Sequence, residues 1–251
     1  ELMTLLRLEF FKGRRRKIAI LCLACLGIQT AWMVVNLLRM EPEELSQGWM
    51  QLVYTLLLVD AITLPLTMAA LASRTCELEH KGNTWKLLET LARPQALYRA
   101  KLTWGAILIL GMLVVEMALF VCFGLGLGFP RTIPWGKLGL TVGNVFLVSL
   151  GIYALQLGLS LRFVNQAAPL AVGILGSFAG LFILFFPQWA QRCLPWGYYG
   201  VLLQAEMLWD PVTHHVSYAW LHTAPSDYGL LALWLVVLFA FSYRVFVRKE
   251  V

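Results

Sequence analysis

The chain has 251 residues, 59% hydrophobic and only 14% charged, with a formal net charge of +6. Soluble domains carry about 25% charged residues, so an aqueous fold could not hide this much apolar surface, and part of the solvent must be lipid. The length suits one membrane domain with no second soluble one. Nucleic-acid binding is disfavoured because the basic residues are split into short segments between apolar runs, which is the topology pattern of membrane proteins.

Residues 1–12 place Leu2, Leu5, Leu6 and Phe10 roughly on one helical face, with Thr4 and Arg7 opposite. Such a helix is expected to lie in the interface plane. The chain opens at Glu1 rather than Met, which suggests trimming. Arg14, Arg15, Arg16 and Lys17 lead into the first span, residues 18–38. At about 20 apolar residues this run is too long for a signal-peptide core. Cys22 and Cys25 lie inside it without companion ligands, so the C-x-x-C spacing reads as packing rather than metal or redox chemistry.

Residues 39–50 carry Glu41, Glu43 and Glu44 and suit the outer side. The second span, 51–73, contains Asp60 and Pro65, both costly against lipid, so it should face protein or a water-filled cleft there. The polar stretch 74–101 follows, too hydrophilic to cross a bilayer. The third span, 102–123, contains Glu116. Asp60 and Glu116 are either polar contacts within the bundle or between subunits, or parts of a transport pathway.

A Gly/Pro-rich outer connection leads to the fourth span, 138–161, where Gly143, Gly151 and Gly158 permit close helix approach. After a tight inner turn comes the fifth span, 167–186, with Gly173, Gly176 and Gly180. Residues 187–228 are too polar for a full span and too aromatic for a water-exposed loop, so a helical hairpin re-entering the outer leaflet is expected. The last span is 229–247. Segments assigned to the inside hold 16 of the 20 Lys and Arg, and those outside hold four. With six spans this places both termini in the cytoplasm. The fold class is therefore an all-α membrane protein with six transmembrane helices, an interfacial N-terminal helix and an outer re-entrant hairpin.

Catalytic patterns are absent from the sequence: there is no G-x-x-x-x-G-K-[ST] phosphate loop, no H-E-x-x-H and no G-x-S-x-G. The chain is therefore not expected to be an enzyme, and any nucleotide energy must arrive from another chain. His214, His215 and His222 lack ligand spacing, so no metal site is expected. The stretch 74–101 is more suggestive. Asn83 or Thr84 can cap a helix. Trp85, Leu88, Leu91 and Ala92 then form one apolar stripe flanked by Lys86 and Glu89, and Pro94 ends it. Two turns of helix are unstable alone in water and need a surface to lie against.

Along this stretch Glu77, Glu79, Gly82, Trp85, Leu88, Pro94, Arg99 and Lys101 resemble the first cytoplasmic loop of ABC-2 type permeases. More narrowly, Glu-x-x-x-Gly-Asn-x-Trp-Lys with the following Pro and Ala-Lys is similar to the permeases of lantibiotic and bacitracin immunity exporters. The resemblance implies a bacterial plasma-membrane permease whose coupling helix docks on a separate ATPase subunit. The working unit would hold two ATPase copies and two permeases, the second permease being the same or a sister chain. ATP and magnesium would be bound by the ATPase, with no cofactor on this chain. The ATPase-coupling residues would be Glu77, Glu79, Gly82, Trp85, Lys86, Leu88 and Leu91. The expected cargo is an amphipathic antimicrobial peptide such as a lantibiotic, met at Trp189, Trp196, Tyr198, Tyr199 and Trp209 of the outer segment. The alternatives are export of a lipid, drug or polysaccharide, or a scaffold role in a sensing complex.

Overall fold

The computed structural model describes residues 2–15, 17–82, 92–212 and 214–248. The chain forms helices α1 (Leu2–Arg15), α2 (Ile18–Leu37), α3 (Gly48–Lys81), α4 (Pro94–Leu127), α5 (Trp135–Arg162) and α6 (Ala167–Ile183). Two single-turn helices, α7 (Gln188–Gln191) and α8 (Tyr198–Val201), precede strands β1 (Ala205–Trp209) and β2 (Val216–Trp220), and α9 (Pro225–Val247) closes the chain. Five helices, α2, α3, α4, α5 and α9, are long and apolar enough to cross a membrane, while α6 is a shorter apolar helix.

Helix α3 is the hub. It packs against α2, α5 and α6, while α5 also packs on α9 and α1 lies along α4. In its most apolar stretch 67% of residues are buried, against 22% in α2 and α9, so α2 and α9 keep broad apolar faces for lipid. That enclosure allows α3 to carry Asp60 and Pro65 within its length. Close approach elsewhere rests on glycines. Gly151 of α5 abuts Leu235 and Leu238 of α9, Gly158 abuts Ser242, and Gly173 of α6 sits on Ala69 of α3.

Two elements differ from the sequence expectation. First, the helices flanking the inner loop run further than the apolar pattern suggested. Residues 74–81 continue α3 and residues 94–101 begin α4. Each helix has 34 residues, about 51 Å long against a hydrocarbon core of about 30 Å, so both project well beyond it. Pro94 starts α4 at the N1 position, and Arg93 before it is extended (φ −62°, ψ 138°), where proline belongs and what proline imposes on its neighbour.

Second, residues 187–228 are not a helical hairpin. They hold short helical turns and then a two-stranded antiparallel ribbon in which Ala205 faces Trp220 and Trp209 faces Val216. Pro211 cannot donate to a ladder, so the strand stops before it. The reversal is set by Asp210, whose carboxylate accepts the Val212 N–H at 2.9 Å, and by His214 in the left-handed region (φ 53°). The Tyr218 N–H donates to Gln47 Oε1 at 2.7 Å, and the Tyr54 and Tyr218 rings lie 5.8 Å apart, which fastens the ribbon to the entry of α3.

Candidate coupling site

The inner ends of α1, α3 and α4 meet in a buried network of charges. Lys101 of α4 is 1% exposed, and its ammonium group lies 2.8 Å from Glu79 Oε1 of α3 and 3.1 Å from Glu9 Oε1 of α1. Lys12 of α1 reaches the same two oxygens at 2.8 and 3.3 Å. The Thr75 carbonyl accepts a third Lys101 bond at 3.3 Å, and the Lys101 carbonyl accepts the Tyr153 hydroxyl at 3.2 Å. Among the described residues, two carboxylates thus balance two ammonium groups. Charges this deep are tolerable only when paired and hydrogen-bonded in this way.

The network has a mechanical consequence. Glu79 and Lys101 stand on either side of the inner loop, so their contact closes the base of that loop. Glu9 and Lys12 tie the same point to the N-terminal helix. Beside this network, Phe10 packs edge-on against Trp104 of α4 with ring centroids 4.3 Å apart. These contacts hold the inner ends of α1, α3 and α4 together.

The sequence-predicted coupling residues divide into three groups. Glu79 is fully buried and so belongs to the base rather than to a docking surface. Glu77 is half-buried and pairs with Lys81 one turn on, at 2.5 Å. Gly82 directly follows α3. Trp85, Lys86, Leu88 and Leu91 lie outside the described residues. Sequence reasoning missed the cluster because Lys12 lies 67 residues from Glu79, and Lys101, 22 residues from it, meets it only when the two flanking helices extend past the apolar runs; the oddity of Lys101 at the edge of an apolar run is the one sequence signal for a partner.

The intramembrane acids converge. Asp60 of α3 and Glu116 of α4 are each 4% exposed, and their carboxyl groups face each other. Gln29 of α2 donates to Asp60 Oδ1 at 2.9 Å, and the Cys25 thiol donates to Gln29 Oε1 at 3.4 Å. Cys25 is thus a packing residue with a polar tie, and none of the five cysteines forms a disulfide. A cavity of about 20 Å³ beside Asp60 is walled by Thr141, Asn144, Tyr199 and Gln204, which is room for about one water. Asp60 and Glu116 therefore join three helices at mid-span.

The outer aromatic residues separate. Tyr198 and Tyr199 are buried in the bundle, with the Tyr199 hydroxyl 2.9 Å from Ser149 Oγ. The Trp196 ring fills the groove over Gly176 and Gly180, where a Cβ would sit 2.4 Å from the ring at Gly176. Only Trp189 and Trp209 present most of their surface outward, at 69% and 55% exposed. Among the described residues no group of three or more His, Cys, Asp or Glu could hold a metal ion.

Residues 5–180 match the family described as ABC-2 family transporter protein. The chain belongs to that family. The match covers α1 through most of α6, and so includes both walls of the inner loop and the whole charge network. ABC-2 proteins of this kind are membrane-spanning transport subunits that work with an ATPase partner. Together with five apolar helices of spanning length, membership makes this chain a multi-pass membrane permease. No curated protein matches the chain.

Proposed function

We propose that this chain is the permease subunit of an ATP-driven exporter that removes a lantibiotic or similar antimicrobial peptide from the membrane. In this reading two permeases, identical or sister chains, work with two ATPase copies in a bacterial plasma membrane. Both termini face the cytoplasm, and ATP with magnesium is bound by the ATPase. The observation that carries the coupling part is the Glu9–Lys12–Glu79–Lys101 network, because it clamps the two helix ends that flank the inner loop to each other and to the N-terminal helix. The apolar stripe of Trp85, Leu88 and Leu91, flanked by Lys86, is the surface on which the ATPase presses, with Glu77 and Gly82 on the same stretch. Glu79 acts from beneath, holding the base of the loop.

The test is co-purification. The tagged wild type is expected to bring down its ATPase, and Trp85→Asp is expected to lose it while reaching the membrane in equal amount and melting at the same temperature. An ATPase retained by Trp85→Asp would place the docking surface elsewhere.

The peptide part rests on Trp189 and Trp209, exposed aromatic rings on the segment read as outer, where amphipathic ligands gather. Cells carrying Trp189→Ala with Trp209→Ala should lose roughly tenfold in lantibiotic resistance, the scale of two aromatic anchors, at unchanged membrane abundance. Full resistance in that variant would remove these residues from the substrate path.

A further inference from the structure

A second site lies close to the charge network but shares none of its residues. A cavity of about 540 Å³ opens between the start of α1, the start of α4 and the end of α9, walled by Leu2, Arg93, Gln95, Ala96, Arg99 and Tyr243. Among the described residues its lining is two guanidinium groups, one amide, one phenol and two small or aliphatic side chains, with no acidic residue. Arg99 has no carboxylate partner among the described residues, whereas every cation of the network next to it is paired. The first turn of α4 forms one wall, so the positive end of a 34-residue helix adds to the field of the two arginines.

The lining adjoins apolar surface on both helices: Leu2 of the lining and its neighbour Met3 are 42% and 67% exposed, and Val247, one turn on from Tyr243, is 39% exposed. A polar basic chamber whose mouth continues into exposed hydrocarbon side chains matches a molecule with a phosphate at one end and acyl chains at the other. We propose that this cavity binds the headgroup of an anionic phospholipid, with the phosphate on Arg93 and Arg99, Gln95 and the Tyr243 hydroxyl within the chamber, and the acyl chains along α1 and α9. The assignment to the inner leaflet rests on the cytoplasmic orientation given above. The binding itself does not.

A bound lipid here would span the interfacial helix and the last transmembrane helix. Its headgroup would sit on the residues that enter α4 from the coupling loop. The lipid would thus be part of the same clamp, seating α1 against α9 when the leaflet is anionic.

The experiment is native mass spectrometry of the full chain from nanodiscs. The wild type in phosphatidylglycerol should keep at least one lipid through collisional activation and lose phosphatidylcholine under the same conditions. Arg93→Gln with Arg99→Gln should weaken phosphatidylglycerol retention roughly thirtyfold, the effect of two basic contacts to an anionic lipid. Arg14→Gln with Arg162→Gln, which removes the same charge from exposed positions away from the cavity, should leave it unchanged. Equal loss in both pairs would reduce the effect to general surface charge and overturn the site. Full displacement by millimolar inorganic phosphate, with no preference between the two lipids, would make it a phosphate site and overturn the lipid assignment. The leaflet is read separately, from Arg99→Cys in a chain with Cys122→Ser and Cys193→Ser. Labelling by an impermeant maleimide only after permeabilisation supports the inner leaflet. Labelling of intact cells would overturn that placement while the retention result still stands.

Discussion

Lys101 shows how one residue can look peripheral in sequence and be central in space. In the linear pattern it closes a polar stretch. In the fold it neutralises carboxylates from two other helices while 1% exposed. Removing one partner of a buried pair leaves a charge with no compensation, at a cost of about 3–5 kcal/mol. Lys101→Met is therefore expected to lower the thermal midpoint of the detergent-solubilised chain sharply. Lys81→Ala, which breaks a pair whose lysine side chain is 75% exposed, should change stability by under about 0.5 kcal/mol. Differential scanning fluorimetry of the two variants beside the wild type compares them directly. Equal midpoints for Lys101→Met and the wild type would mean the network contributes no net stability.

At the scale of elements, α6 and the turn holding Trp196 are joined through two glycines. A methyl at Gly176 would come within 2.4 Å of the Trp196 indole, and one at Gly180 within 2.8 Å of its Cβ. Gly176→Ala should therefore cost about 1–3 kcal/mol through overpacking. Gly143→Ala on α5 meets nothing within 4 Å and should be neutral or gain about 0.5–1 kcal/mol from helix propensity. Thermal midpoints in the opposite order would show that the groove can open at no cost. The spacing of these glycines was readable as close packing, but their partner was not. Trp196 looked like an outward anchor because aromatic residues favour membrane interfaces, and only the chain reversal at Pro187–Gly197 turns it inward.

The same limit explains the rest. The apolar runs located α2, α5, α6 and α9 to within a few residues, because lipid contact leaves a strong compositional mark. The inner ends of α3 and α4 were hidden because charged residues paired inside protein look, one at a time, like residues facing water. The ribbon was hidden because Val216–Trp220, a β-branched and aromatic strand bounded by an Asp-Pro turn, sits in a segment whose aromatic content also suits a membrane interface.

For the whole molecule the open quantity is parity. Helix α6 has 17 residues, about 26 Å against a core of about 30 Å. The apolar residues that follow, Phe185 and Phe186, are 77% and 59% exposed, and they extend the hydrophobic length enough to reach the far interface with little mismatch cost. That argument predicts that α6 crosses, which would give six spans with both termini on one side, the arrangement expected from the 16-to-4 distribution of Lys and Arg. Two exposed positions bracket the element: Val164 before it, 74% exposed, and Val212 after it, 86% exposed. In a chain with Cys122→Ser and Cys193→Ser, Val212→Cys should react with an impermeant maleimide in intact cells, as should Ser46→Cys at the entry to α3. Val164→Cys should react only after permeabilisation. If Val164→Cys and Val212→Cys label from the same side, α6 does not cross. The C-terminus then lies opposite the N-terminus, and the β-ribbon, tied to Gln47 at the other face, would need a different route. That contact between Tyr218 and Gln47 at 2.7 Å is the strongest structural reason to expect α6 to cross, since it holds the segment after α6 at the same end of the bundle as the entry to α3.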